Sequence, residues 1–121
     1  HVTFIENFVP AIDSIKKNLE TCGFSEQATI LKQPAKKSLL HLSKKHKQYD
    51  LIFVDPPYLK DLVNSSLALI ADNELAKIKT KIIVEHHPKE IIAKHPNLTL
   101  IETRHYGQTC ISFLSYKKPR S

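Results

Sequence analysis

At 121 residues the chain is long enough for one small domain with its own core, burying about two-thirds of the surface that its unfolded form exposes. Hydrophobic residues at 41% and charged residues at 25% are ordinary globular usage, and no apolar run nears the roughly 18 residues of a spanning helix, so composition reads as a soluble protein and excludes a helical membrane protein. The net charge of +6, from 18 basic and 12 acidic residues, suits a polyanionic partner, although a solvated basic surface has the same signature.

Val2-Thr3-Phe4-Ile5 predicts a strand ending at Glu6. Ile12, Ile15, Leu19 and Cys22 then recur as one helical stripe, with Pro10 near its start and Gly23 as its stop. Ala28-Thr29-Ile30-Leu31 predicts a second strand, and Ala35, Leu39 and Leu42 after Pro34 mark a second helix with lysines on its outer face. Leu51-Ile52-Phe53-Val54, uninterrupted and apolar, predicts a strand buried on both faces of a parallel sheet. Leu59, Leu62, Val63, Leu67 and Ile70 form a third helical stripe, Lys81-Ile82-Ile83-Val84 a short buried strand ending at Glu85, and residues 88–94 a short helix. Leu98-Thr99-Leu100-Ile101 and residues 109–116, joined around Tyr106-Gly107, read as a C-terminal antiparallel hairpin. The alternation implies an α/β fold, an open sheet that is mostly parallel with right-handed crossovers, in a single domain over residues 1–121. Cys22 and Cys110, each inside an apolar periodic segment, are expected to be reduced core thiols of a cytosolic protein.

In open α/β sheets ligands bind beyond the carboxyl ends of the strands, and Glu6, Asp55 and Glu85 all fall there. Asp55-Pro56-Pro57-Tyr58 follows the most hydrophobic strand, and its prolines fix their own φ while restricting the residue before each. A rigid turn of this kind can present the Asp55 carboxylate and a proline carbonyl as two acceptors, with an aromatic ring beside them. Two acceptors suit an exocyclic amine on a nucleobase, whose lone pair must be drawn out of ring conjugation before it reacts, and Tyr58 suits stacking on a flipped base. The competing reading is a strand-terminating turn in which Asp55 caps the next segment. Lys36, Lys37, Lys44, Lys45 and Lys47 are the candidate nucleic-acid face, with His41 and His46 among them. His86, His87 and His95 have no Cys or Asp spacing that completes a metal site, so no metal is expected.

Tyr-Asp-Leu-Ile-Phe-Val-Asp-Pro-Pro-Tyr at residues 49–58 resembles motif IV of the S-adenosylmethionine-dependent amino-methyltransferases. Together with Glu6, the Ile83-Val84-Glu85 strand and the Tyr106-Gly107-Gln108-Thr109-Cys110-Ile111-Ser112-Phe113 hairpin, the chain is similar, from residue 1 to about 116, to the RsmD-type 16S ribosomal RNA guanine-N2 methyltransferases. The resemblance implies a Rossmann-like sheet, S-adenosylmethionine as cofactor, ribosomal RNA or a partly assembled small subunit as partner, and a cytoplasmic location. It implies that Glu6 takes the cofactor's ribose hydroxyls and that Asp55, Pro56 and Tyr58, with Pro57 stiffening the turn, hold the guanine. Glu6 as a plain strand-end charge is the alternative, and Glu85 stands equally as a ligand-edge residue or a solvated carboxylate.

Two departures from the family bear on these assignments. Where it carries an acidic residue near adenine this chain reads Leu31-Lys32-Gln33-Pro34-Ala35, which makes Gln33 the candidate. Gly23 and Gly107 are the chain's two glycines, so the glycine-rich loop, which in the family follows a strand preceding residue 1, is absent. With His1 first and no initiator Met or leader, the expectation is an N-terminally truncated catalytic domain, inactive alone, with its first and central strand missing. A gap, or a strand from outside, is expected there in preference to direct pairing of residues 2–5 with 51–54. Other readings are a DNA adenine-N6 or cytosine-N4 methyltransferase, to which a short chain without a target-recognition insertion is poorly suited, and a non-catalytic RNA-binding module on the same scaffold.

Overall fold

The computed structural model describes residues 1–118 and divides into two compact units, His1–His41 and the chain from Leu42 onward. In the first, β1 (Val2–Ile5) pairs in parallel with β2 (Ala28–Leu31), Val2 opposite Ala28 and Ile5 opposite Leu31, and Glu6 N–H extends the ladder to the Leu31 carbonyl at 3.1 Å. Helix α1 (Val9–Cys22) joins them, with Pro10 in its first turn, where a missing N–H costs nothing. It ends at Gly23, whose φ of 73° lets the Gly23 and Phe24 N–H groups reach back to the Glu20 and Leu19 carbonyls. Ile12 is the buried anchor of the predicted stripe, but Cys22 is exposed in the last turn and is not a core thiol. Helix α2 (Ala35–Lys44) runs across the division between the units.

In the second unit the strand order is β3 (Tyr49–Val54), β4 (Ala76–His86), β6 (Thr109–Tyr116), β5 (Leu98–Tyr106). β3 and β4 are parallel with Val54 opposite Val84, while β6 is antiparallel to both β4 and β5. Among the described residues β1 belongs to the two-stranded sheet with β2 and β3 to the four-stranded sheet with β4. The hairpin turns through Gly107-Gln108, with Gly107 at φ 61°. Helix α3 (Leu62–Asp72) supplies Val63, Leu67 and Ile70 to a core shared with Val54, Ile82, Val84 and Leu114, each such side chain contributing about 1.5–3 kcal/mol by leaving water.

Three expectations are corrected here. The third strand is not buried on both faces: Ile52 and Val54 face inward, whereas Leu51 and Phe53 are 49% and 68% exposed, because strand side chains alternate and only one face is covered within this unit. Leu59 precedes α3 at a positive φ of 58°, exposed, so the helical stripe begins at Leu62. Residues 88–94 are not helical. Their backbone groups are satisfied from α3, where the Asn64 side chain donates to the Ile91 carbonyl and accepts from Ala93 N–H, both at 2.9 Å, in place of i→i−4 bonds.

Candidate active site

Because β3 and β4 are parallel and in register at Val54 and Val84, the next residues, Asp55 and Glu85, come side by side at the carboxyl edge of the second sheet. β6 runs the other way, with Ile111 opposite Glu85 and Cys110 opposite His86, so its first residue, Thr109, starts at that same edge. The Asp-Pro-Pro-Tyr turn then carries Tyr58 back over the strand ends. Its hydroxyl donates to Glu85 Oε1 at 3.1 Å and meets Thr109 Oγ1 at 2.9 Å. A hydroxyl has one hydrogen, so with Tyr58 donating to the carboxylate it is Thr109 that donates to Tyr58.

The tyrosine ring is fixed by a ring contact as well. His87 meets it edge to face, centroids 5.8 Å apart at 71°. Lys89 N–H donates to His87 Nδ1 at 3.0 Å, which leaves the proton on Nε2 to donate to Gln108 Oε1 at 3.2 Å, and Glu90 receives the His87 N–H at 2.9 Å. His86, the preceding residue, points into the core: Nδ1 donates to the His87 carbonyl at 3.1 Å, so Nε2 accepts from Ser112 at 2.7 Å, and Ser112 meets Thr103 at 2.8 Å. This buried relay ties β4, β6 and β5 together directly beneath the edge.

Asp55 is exposed at that edge, yet its carboxyl is pushed up to about 6 from 3.8, first by partial withdrawal from water and then by the charge and hydrogen bond of the adjacent Glu85. The turn continues through Leu59 and Asp61, both at positive φ without being glycine, a strained path into α3 of the kind that gathers at functional sites.

The other predicted residues lie as follows. Pro56 is half-buried and Pro57 exposed. Glu6 is half-buried at the carboxyl end of β1, its Oε2 receiving Asn7 N–H at 3.2 Å, and Gln33 is exposed just past the carboxyl end of the neighbouring β2. Beside them Lys32 is held below the ordinary lysine range by hydrogen bonding to, and then the charge of, Lys16. Lys36, Lys37 and Lys44 on α2, with Lys45 and Lys47 after it, are all exposed. The structure thus brings together Asp55, Tyr58 and Glu85 and adds Thr109, His87 and Gln108, of which the sequence reading weighs His87 only as a metal ligand and Gln108 and Thr109 only as part of the hairpin. The Gly107-Gln108-Thr109 turn was readable as a hairpin, but nothing in its spacing says that β6 sits beside β4.

Residues 1–115 match a family described as Conserved hypothetical protein 95. YlbH of Bacillus subtilis, a candidate rRNA methyltransferase, is 28% identical over 120 residues, which are 98% of this chain and 64% of that protein. The ribosomal RNA small subunit methyltransferase D of Haemophilus influenzae is 30% identical over 108 residues, 88% of this chain and 55% of that one. This chain therefore spans less than two-thirds of either relative. Among solved structures, a candidate methylase from Haemophilus influenzae superposes with a TM-score of 0.79 at 26% identity, covering 96% of this chain and 72% of the other, and has a Rossmann-like methyltransferase fold in common with it.

Proposed function

Since the chain belongs to the Conserved hypothetical protein 95 family, the RsmD-type methyltransferases, we propose that the whole protein methylates the exocyclic N2 amine of a guanine in small-subunit ribosomal RNA. Its methyl donor is S-adenosylmethionine, its partner the RNA or a partly assembled subunit, and its compartment the cytoplasm. The observation that carries this reading is the joining of Asp55, Tyr58, Glu85 and Thr109 at one strand edge, on a turn stiffened by two prolines.

The first unit offers donor-binding chemistry in keeping with this. Glu6 presents a carboxylate anchored by Asn7 N–H, a fit for two vicinal ribose hydroxyls, and Gln33 offers both a donor and an acceptor for adenine. When bound, S-adenosylmethionine supplies a methyl group already activated by its sulfonium. The protein's own share is positioning and exclusion of water. Asp55 accepts from the amine and aims its lone pair, orienting it more than deprotonating it, while a proline carbonyl of the turn takes the second hydrogen. Tyr58, held at its hydroxyl and by the His87 ring, offers an aromatic ring of fixed orientation for stacking, worth roughly 1–3 kcal/mol per base. Lys36, Lys37, Lys44, Lys45 and Lys47 meet phosphates.

The test is methyl transfer by the full-length protein to small-subunit RNA and to duplex DNA, with the modified base identified by mass spectrometry. N2-methylguanosine in RNA is the expected product, and incorporation into DNA alone overturns the reading.

A further inference from the structure

Guanine, adenine and cytosine each present an exocyclic amine with two N–H donors, so one carboxylate at position 55 reads the amine but not the base that carries it. The bases differ at the neighbouring ring nitrogen. Guanine N1 bears a hydrogen, whereas adenine N1 and cytosine N3 present a lone pair. Whatever faces that nitrogen decides which base fits.

The structure puts a second carboxylate beside Asp55. Glu85 follows Val84 as Asp55 follows Val54, in register on adjacent parallel strands, so the two carboxyls are neighbours at the sheet edge. Its Oε1 receives the Tyr58 hydroxyl, which itself receives Thr109, so a chain of donors converges on Glu85 and keeps it an acceptor. A carboxylate has about four lone-pair sites, which leaves capacity for a ligand. Two ionised carboxylates this close repel each other, and guanine is the base that brings adjacent donors to both. Adenine or cytosine would satisfy one and set a lone pair against the other.

Building on the methyltransferase reading above, we propose that Glu85 is the base-specificity residue, its carboxylate accepting guanine N1–H while Asp55 accepts from the N2 amine. Tyr58 and Thr109 are positioning residues for it.

The test uses the full-length protein and the target RNA with guanosine, 2-aminopurine riboside or adenosine at the methylated position. 2-Aminopurine retains the 2-amine but has a bare N1. Wild type should prefer guanosine over 2-aminopurine by about 100-fold or more, as sites built to hydrogen-bond a donor reject the analogue lacking it. Glu85→Gln, whose amide can donate to a bare N1, should bring that ratio within about 10-fold. Equal wild-type rates on guanosine and 2-aminopurine overturn the assignment whether or not the variant folds, as does an undiminished ratio in a folded Glu85→Gln. Transfer to no guanosine at all overturns the guanine reading itself and this inference with it.

Discussion

Asp55 and Glu85 are side by side because Val54 and Val84 are opposite each other in a parallel ladder, and the closeness of the two carboxyls helps to push Asp55 up to about 6. A carboxyl whose folded value is raised binds its proton more tightly when folded, so its contribution to stability is complete below about 3.8 and is lost as pH rises through about 6. Activity has the opposite sense. The amine needs an ionised acceptor, so kcat/KM should fall as pH drops through about 6, and Glu85→Gln should move that acid limb lower. The shift should be partial, because withdrawal from water, the larger cause, remains. A pH profile of both proteins checks this, and an unmoved limb would separate Glu85 from Asp55.

Asp55→Ala should lower turnover at least about 100-fold while leaving donor affinity within a few-fold. Asp55 faces the amine in this reading, not the sulfonium, and 100-fold corresponds to about 2.7 kcal/mol of transition-state interaction. Single-turnover rates and donor titration on the same preparation measure both halves. Unchanged turnover removes Asp55 from catalysis.

Ser112 is fully buried and hydrogen-bonds both His86 and Thr103. Ser112→Ala strips the donor from His86 Nε2 in the core, a loss of about 1–3 kcal/mol. Thermal unfolding should show a midpoint several degrees lower, and an unchanged midpoint would mean that water replaces the hydroxyl.

Most elements were readable from the sequence because their signals are local. Periodicity, Pro10 and Gly23 mark α1, and the Tyr106-Gly107 turn marks the hairpin. Errors arose where a distant segment decides. Residues 88–94 read as a helix until Asn64 takes their backbone groups, and Leu51 and Phe53 read as core, although an apolar run does not reveal whether both faces of a sheet are covered. In the site, the Asp-Pro-Pro-Tyr turn was legible. Its contacts with His87 and Thr109, and that of His87 with Gln108, were not, since the first depends on β4 lying next to β3 and the others on β6 lying next to β4.

Neutralising Lys36, Lys37, Lys44, Lys45 and Lys47 together should weaken RNA binding and flatten its salt dependence. All five are exposed. Each phosphate contact adds roughly 0.7–0.9 to the slope of log affinity against log salt, so the loss can be read as a number of contacts. An unaltered slope would make them a solvated face.

The 121-residue chain alone should not bind S-adenosylmethionine at micromolar concentration. The carboxylate and amide proposed for ribose and adenine are both present, at the ends of β1 and β2. The methionine end of such a ligand needs something else: a backbone that approaches closely, which side chains obstruct and glycine permits. This chain has two glycines, and both are committed to turns, Gly23 to the end of α1 at φ 73° and Gly107 to the β5–β6 hairpin at φ 61°. Neither lies in a loop leading from a strand into a helix, where oriented N–H groups could cradle a charged ligand. Half of the ligand's contacts would then be missing, and affinity should fall by several orders of magnitude, since every 1.4 kcal/mol is tenfold. Calorimetric titration of the isolated chain against the full-length protein decides it. Micromolar binding by the chain alone would place the donor site on other residues than those named here.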